Sequence, residues 1–136
     1  MIKVIAGAKG TGKTAQLVDL INDQASNEQN NIVCIERGNR LDRLLKYKIR
    51  LVDISEYPVE GFSELLSFIS GIYAKDFDLT HIYIDSIVKV AQSDDMNAMA
   101  LFLSRLDSFL KESSIEVSII LSLSIDDLPA EIAKYC

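Results

Sequence analysis

Gly7-Ala8-Lys9-Gly10-Thr11-Gly12-Lys13-Thr14 has the residue types and the spacing of a phosphate-binding loop, G-x-x-x-x-G-K-[ST]. Such a loop aims backbone N–H groups at phosphate oxygens. That requires a tight turn with no side chain in the way, and Gly7, Gly10 and Gly12 suit it. Lys13 is expected to meet the β- and γ-phosphates and Thr14 to offer its hydroxyl to Mg2+, while Ala8, Lys9 and Thr11 complete the expected nucleotide contact. An apolar run, Val4-Ile5-Ala6, precedes the loop, and an amphipathic segment with Leu17, Val18, Ile21 and Ala25 follows it. A helix beginning at the loop adds the positive end of its dipole where the phosphates sit.

A second stretch, His81-Ile82-Tyr83-Ile84-Asp85-Ser86, reads as an apolar strand ending in an acid. This is the form of the Walker B element, whose Asp organises Mg2+ through water or through the loop threonine. Thr14 and Asp85 are therefore the expected metal residues. Ser86 stands where many ATPases carry a glutamate that polarises the attacking water, so a hydrolytic base must come from elsewhere in the chain. No Asn-Lys-x-Asp motif is present to read guanine, which makes ATP the expected nucleotide in preference to GTP.

Composition removes several other chemistries. His81 is the single histidine, which excludes His-based metal clusters and a Ser-His-Asp nucleophile. Cys34 in an apolar run and Cys136 at the last position suit a reducing compartment and form no disulfide framework. The net charge is −6 and the basic residues are scattered, the densest group being Lys46, Lys48 and Arg50, so DNA is not an expected partner. No apolar run approaches the roughly 18 residues of a membrane span, and the N-terminus enters a strand without a signal-like segment. A cytoplasmic location is expected. With 136 residues, the chain is expected to form one domain, 1–136.

Period and punctuation predict the elements that must position these residues. Short runs rich in Ile and Val predict strands at 2–6, 31–35, 49–54, 81–85 and 116–122, continuously apolar and hence buried on both faces. Helical spacing follows the loop and recurs at Leu41, Leu44 and Leu45, and again at Phe62, Leu65, Leu66, Ile69 and Tyr73. The longest helix is predicted over 94–112, with Ser93 as its N-cap and Met96, Met99, Ala100, Leu103, Leu106 and Leu110 on its inner face. A short helix near 129–135 ends the chain.

The alternation of strands and helices around these motifs resembles the RecA-like P-loop ATPases, including their KaiC-type relatives. The resemblance is carried by the phosphate loop, by Asp85-Ser86 at the end of its strand, and by Ile32-Val33-Cys34-Ile35 followed by Glu36-Arg37-Gly38-Asn39-Arg40-Leu41-Asp42. The next apolar strand, Arg50-Leu51-Val52-Asp53-Ile54, falls at the corresponding place. The resemblance implies a three-layer α/β/α sandwich, a P-loop NTPase fold with a parallel five-stranded sheet in the order 49–54, 31–35, 81–85, 116–122, 2–6. It also implies that Glu36 is the catalytic carboxylate, alongside Lys13, and that Ser122 or Ser124 senses the γ-phosphate. Family members usually carry the carboxylate one or two residues later, where this chain has Arg37 and Gly38. The family's DNA-binding loops have no counterpart after Asp85.

In that order residues 2–6 form an edge strand, exposed unless a helix, a loop or another subunit covers it, so a homo-oligomer or an unidentified protein partner is an open expectation. Arg37, Arg40, Arg43 and Arg105 are the arginines suited to touch a phosphate. The function expected is ATP binding with slow or partner-stimulated, Mg2+-dependent hydrolysis. Two alternatives are a small-molecule or nucleotide kinase, which would place 81–85 directly beside 2–6, and a non-catalytic nucleotide-responsive module.

Overall fold

Ile or Val recurs in five short runs, and these branched side chains, stiff at χ1 and suited to a pleated surface, favour a strand in each. The computed structural model describes residues 1–136. In chain order the elements are β1 (Ile2–Ala6), α1 (Lys13–Ala25), β2 (Ile32–Glu36), β3 (Arg50–Asp53), α2 (Phe62–Lys75), β4 (His81–Ile84), α3 (Ile87–Ala91), α4 (Met96–Leu110), β5 (Glu116–Leu121) and α5 (Ala130–Ala133). Single 3-10 turns lie at Ile54–Glu56 and Ile125–Asp127. Every strand pairing is parallel, and the order across the sheet is β1-β5-β4-β2-β3. This is the expected order, and it puts all five carboxyl ends on one side of the sheet, where loops are free to build a site.

Side chains alternate between the two faces along each strand. Val33 and Ile35 of β2, Ile82 and Ile84 of β4, and Val117, Ile119 and Leu121 of β5 join a core of 28 buried residues shared with α2, α3, α4 and Ile132 of α5. Ile32, Cys34, Tyr83 and Ile120 point the other way into a group of 10, closed by Leu17, Val18, Ile21 and Ala25 of α1. One face thus has four helices, and the other has α1 plus the segment 39–49, which adds Leu41 and Ile49. No helix is long and apolar enough to cross a membrane.

Residues 41–45, the cap of α4 and the buried stripes of α4 and α2 differ from expectation. Residues 41–45 form turns rather than a helix: Leu44 N–H and Leu45 N–H both donate to Leu41 O, at 2.9 and 3.1 Å, and the ladder stops there. The Asn22 amide on α1 intervenes, donating to Leu44 O at 2.9 Å and accepting from Lys46 N–H at 3.0 Å, and a segment this short has little helical tendency of its own to oppose it. Asp95, not Ser93, caps α4, because its Oδ1 accepts from both Asn97 N–H and Ala98 N–H while Ser93 Oγ accepts only from Asp95 N–H. The buried stripe of α4 contains Phe102, with Met96 and Ala100 half-buried beside it, and on α2 it is Ile72 rather than Tyr73 that is buried. At the β1 edge, Val4 N–H donates to Tyr135 O at 2.9 Å, so the C-terminal turn covers part of that strand.

The cap assignment is open to direct test. Asp95→Ala is expected to lower stability by about 1 kcal/mol, and Ser93→Ala by less than about 0.5 kcal/mol, in urea unfolding followed by circular dichroism.

Candidate functional site

The carboxyl ends of β1, β5, β4 and β2 bring four loops together. The first is residues 7–12. Gly7 N–H donates to Leu121 O at 3.2 Å, extending the β1–β5 ladder by one bond before the chain turns away. Gly12, at φ 80°, is the N-cap of α1 and adopts a left-handed conformation that a side chain would strain. Gly7 is needed for closeness instead: a Cβ there would lie 3.1 Å from Thr11 Oγ1 and 3.3 Å from the Lys13 Cδ. No side chain caps the start of α1 and no acid lies in its first turn, so its free N–H groups and dipole face the cleft uncompensated. Lys13 is 7% exposed; its Nζ donates to Ala8 O at 2.8 Å and to Thr11 Oγ1 at 3.3 Å, arching over the loop.

The second loop follows β4. Asp85 is 1% exposed, tied by its own N–H to Ile35 O of β2 at 3.0 Å. Its Oδ1 lies 3.5 Å from both Thr14 Oγ1 and Ser86 Oγ, and its Oδ2 pairs with Arg40 Nη2 at 3.2 Å. Ser86 itself has φ 58°, a left-handed conformation uncommon for a residue with a side chain, at the point where β4 gives way to α3.

Glu36 ends β2, one residue further into the strand than expected, at the level of Asp85 on the neighbouring strand. It too is 1% exposed. Its Oε2 accepts from Leu41 N–H at 3.0 Å, and its Oε1 has no hydrogen-bond partner. Burial raises its carboxyl above the ordinary carboxylate range; the Leu41 N–H opposes the rise, the Asp85 charge adds to it, and Arg40 opposes it.

A cleft of about 280 Å3 lies over these residues, lined by Lys9, Lys13, Thr14, Arg40, Lys89 and Ser122 among others. It contains four cations and no acid on its walls, in a chain whose net charge is −6. That separation of charge gives the cleft a positive local potential. A second hollow of about 380 Å3 continues from it through Lys9, Ser86, Lys89 and Ser122 to Val88, Met96 and Leu123. Residues suited to a metal are present in the manner Mg2+ prefers: a hydroxyl and a carboxylate within reach of one another, beside a phosphate cradle, with no cluster of three or more acids, His or Cys to cage an ion unaided.

Lys13 and Thr14 line the cleft, Asp85 lies 3.5 Å from Thr14 beneath it, and Glu36 ends the strand beside Asp85. Ser122 lines the cleft, whereas Ser124 caps the following 3-10 turn through Asp126 N–H. Of the four arginines singled out, only Arg40 reaches the site. Arg37 donates to Lys89 O and Val90 O at the end of α3, and Arg105 lies in a separate hollow between α2 and α4. Asp53 was not anticipated at all: its Oδ1 accepts from Gly38 N–H at 2.8 Å and from Ser55, whose hydroxyl chiefly holds the Asp53 carboxyl below its ordinary range, and so it fixes the turn after Glu36. An Asp at a strand end with a Ser two residues on is the one sequence signal for such a turn.

Among solved structures, a KaiC-like protein from the hyperthermophilic archaeon Pyrococcus horikoshii OT3 matches over 98% of this chain and 68% of its own, with a TM-score of 0.73 and 19% identity. The fold is RecA-like. No protein-family model and no curated protein matches the chain. At that identity the likeness speaks for the RecA-like architecture, and the site rests on its own residues.

Glu36 gives a pH dependence. An acid raised by burial favours its protonated form in the folded state. Its contribution is complete below the ordinary carboxylate range and is lost as pH rises through the raised value. With chelator present, Glu36→Gln is expected to melt at a higher temperature than the unsubstituted chain at pH 8, and the gain is expected to vanish by pH 4.

Proposed function

We propose that this chain binds ATP with Mg2+ and hydrolyses it slowly, or at a useful rate only with a partner. The single observation that supports this reading best is the cleft itself, lined by Lys9, Lys13, Arg40 and Lys89 and by Thr14, whose hydroxyl lies 3.5 Å from the buried Asp85. Loop N–H groups from Ala8 to Thr14 and the start of α1 would receive the phosphate oxygens, with Lys13 released from Ala8 O to meet the terminal ones. Thr14 and Asp85 would hold Mg2+, which when bound supplies charge neutralisation on the phosphate oxygens. Glu36 is the proposed base: Oε1 has unfilled acceptor capacity for a water, and a carboxyl raised by burial is better matched to proton transfer near neutrality than an ordinary one. Ser122, at the end of β5, would contact the γ-phosphate.

The sheet order weighs against the kinase alternative, because β5 lies between β1 and β4. The burial of Glu36 favours a second reading, a nucleotide-responsive module without turnover, since a residue 1% exposed is poorly placed to meet bulk water. ATP rather than GTP, a cytoplasmic setting in which both cysteines stay free, a single domain over 1–136 and a partner or second copy at the uncovered part of β1 belong to the same proposal.

Calorimetric titration with ATP, a non-hydrolysable analogue and GTP, with and without Mg2+, tests the binding. Lys13→Ala is expected to weaken Mg2+-ATP binding by at least about tenfold, or about 1.4 kcal/mol. Phosphate release is expected to run far below the common enzymatic rate of about 10 s−1, and Glu36→Gln should abolish it while leaving ATP affinity within about twofold. Binding without any phosphate release from the unsubstituted chain would select the module reading, and no binding up to millimolar ATP would defeat both.

A further inference from the structure

Asp85 and Glu36 end neighbouring strands, each 1% exposed, and two acids buried side by side repel unless a cation lies against them. Lys13 does not serve, because its Nζ is turned to Ala8 O and Thr11 Oγ1 and makes no ion pair with either acid. The cation in contact is Arg40, whose Nη2 lies 3.2 Å from Asp85 Oδ2. The pair is unequal. The Asp85 side chain is fully buried and the Arg40 side chain 56% exposed, and Asp85 is the sole hydrogen-bond acceptor for a guanidinium with five N–H donors.

The backbone that carries Arg40 is held on both sides. Arg37 grips Lys89 O and Val90 O at 2.7 and 3.2 Å, Gly38 N–H is held by Asp53 Oδ1 at 2.8 Å, and Leu41 N–H by Glu36 Oε2 at 3.0 Å. A long side chain on a clamped turn moves without moving its turn. Arg40 also lines the same cleft as Lys9, Lys13 and Thr14, within the space where phosphates would lie.

We propose that Arg40 is a positioning residue that competes with Mg2+ for Asp85 and is drawn off that carboxylate by the phosphates of the nucleotide, so that metal entry depends on nucleotide entry. The inference rests on the nucleotide-site reading for its second half only. Metal alone must displace the guanidinium from Asp85 with no new partner for it; metal arriving with nucleotide displaces it onto phosphate oxygens, which Arg engages in a bidentate manner. Arg40 therefore couples the two ligands, and by linkage the coupling is reciprocal. Glu36 gains a second task under this account, since its Oε2 helps hold the turn that presents Arg40.

The test is a Mn2+ titration followed by electron paramagnetic resonance, with Mn2+ standing in for Mg2+, on the unsubstituted chain, Arg40→Gln and Lys89→Gln, each with and without ADP. Lys89→Gln removes an equal charge from the cleft wall without touching Asp85, so it measures the general effect of charge. Arg40→Gln is expected to tighten Mn2+ alone by roughly fivefold or more, Lys89→Gln by less than about twofold, and the factor by which ADP strengthens Mn2+ binding should fall by roughly fivefold in Arg40→Gln. Equal Mn2+ affinity in the unsubstituted chain and Arg40→Gln, equal tightening by the two variants, or an undiminished ADP factor would overturn the proposal. If ADP binds nowhere, the nucleotide reading fails while the Mn2+-alone comparison still decides whether Arg40 guards Asp85. The unsubstituted chain gives the same decision should Arg40→Gln not fold: the Arg40 Nε–H resonance must shift as Mg2+ is added with ADP, and a resonance that stays put contradicts the exchange.

Discussion

Two buried carboxylates beneath a cationic cleft are the constraint around which this chain is arranged. Glu36 and Asp85 sit at the carboxyl ends of adjacent strands, where desolvation and mutual repulsion both act against them. Each structural feature nearby answers that cost. Arg40 pairs with Asp85, Leu41 N–H bonds to Glu36, and the N-terminus of α1 points its dipole at the same region. A fold concerned only with stability would place apolar residues at such strand ends, as it does one residue earlier with Ile35 and Ile84. Charge kept there at a cost is the physical signature of a site.

The two faces of the sheet divide the work of holding it. The larger core, under α2, α3 and α4, fixes β4 and β5 and hence Asp85 and Ser122. The smaller core is closed by α1, whose first residues line the cleft, and by the segment 39–49, which carries Arg40. Both elements that line the cleft from this side therefore rest on the smaller core and on each other, through the two Asn22 hydrogen bonds to Leu44 and Lys46.

Much of this was legible in the sequence because chemistry restricts it. A glycine loop ending in Lys13-Thr14 and an apolar strand ending in Asp85 were expected to meet, and Thr14 lies 3.5 Å from Asp85. The strand order followed from a resemblance rather than from periodicity, which locates strands without ordering them. What was not legible depended on contacts between distant segments. The helical spacing at 41–45 gives way to turns because Asn22, far upstream, captures the carbonyl and N–H that a helix would need. Arg40 could not be told from Arg37, Arg43 and Arg105 by residue type, since where a long side chain reaches is set by the turn beneath it, here by Gly38 and Asp53. Glu36 was named from family position, but its burial and its bond to Leu41 N–H arise only from packing.

The central claim is that the carboxylates and the cleft above them form one site that exchanges a protein cation for Mg2+ and phosphate. A crystal structure of the chain grown with Mg2+ and a non-hydrolysable ATP analogue tests it most directly. The account predicts triphosphate cradled by residues 8–14, the metal on Thr14 and Asp85, and the Arg40 guanidinium moved from Asp85 to a phosphate oxygen. Triphosphate bound elsewhere, or metal and triphosphate in the cleft with Arg40 still on Asp85, would contradict it.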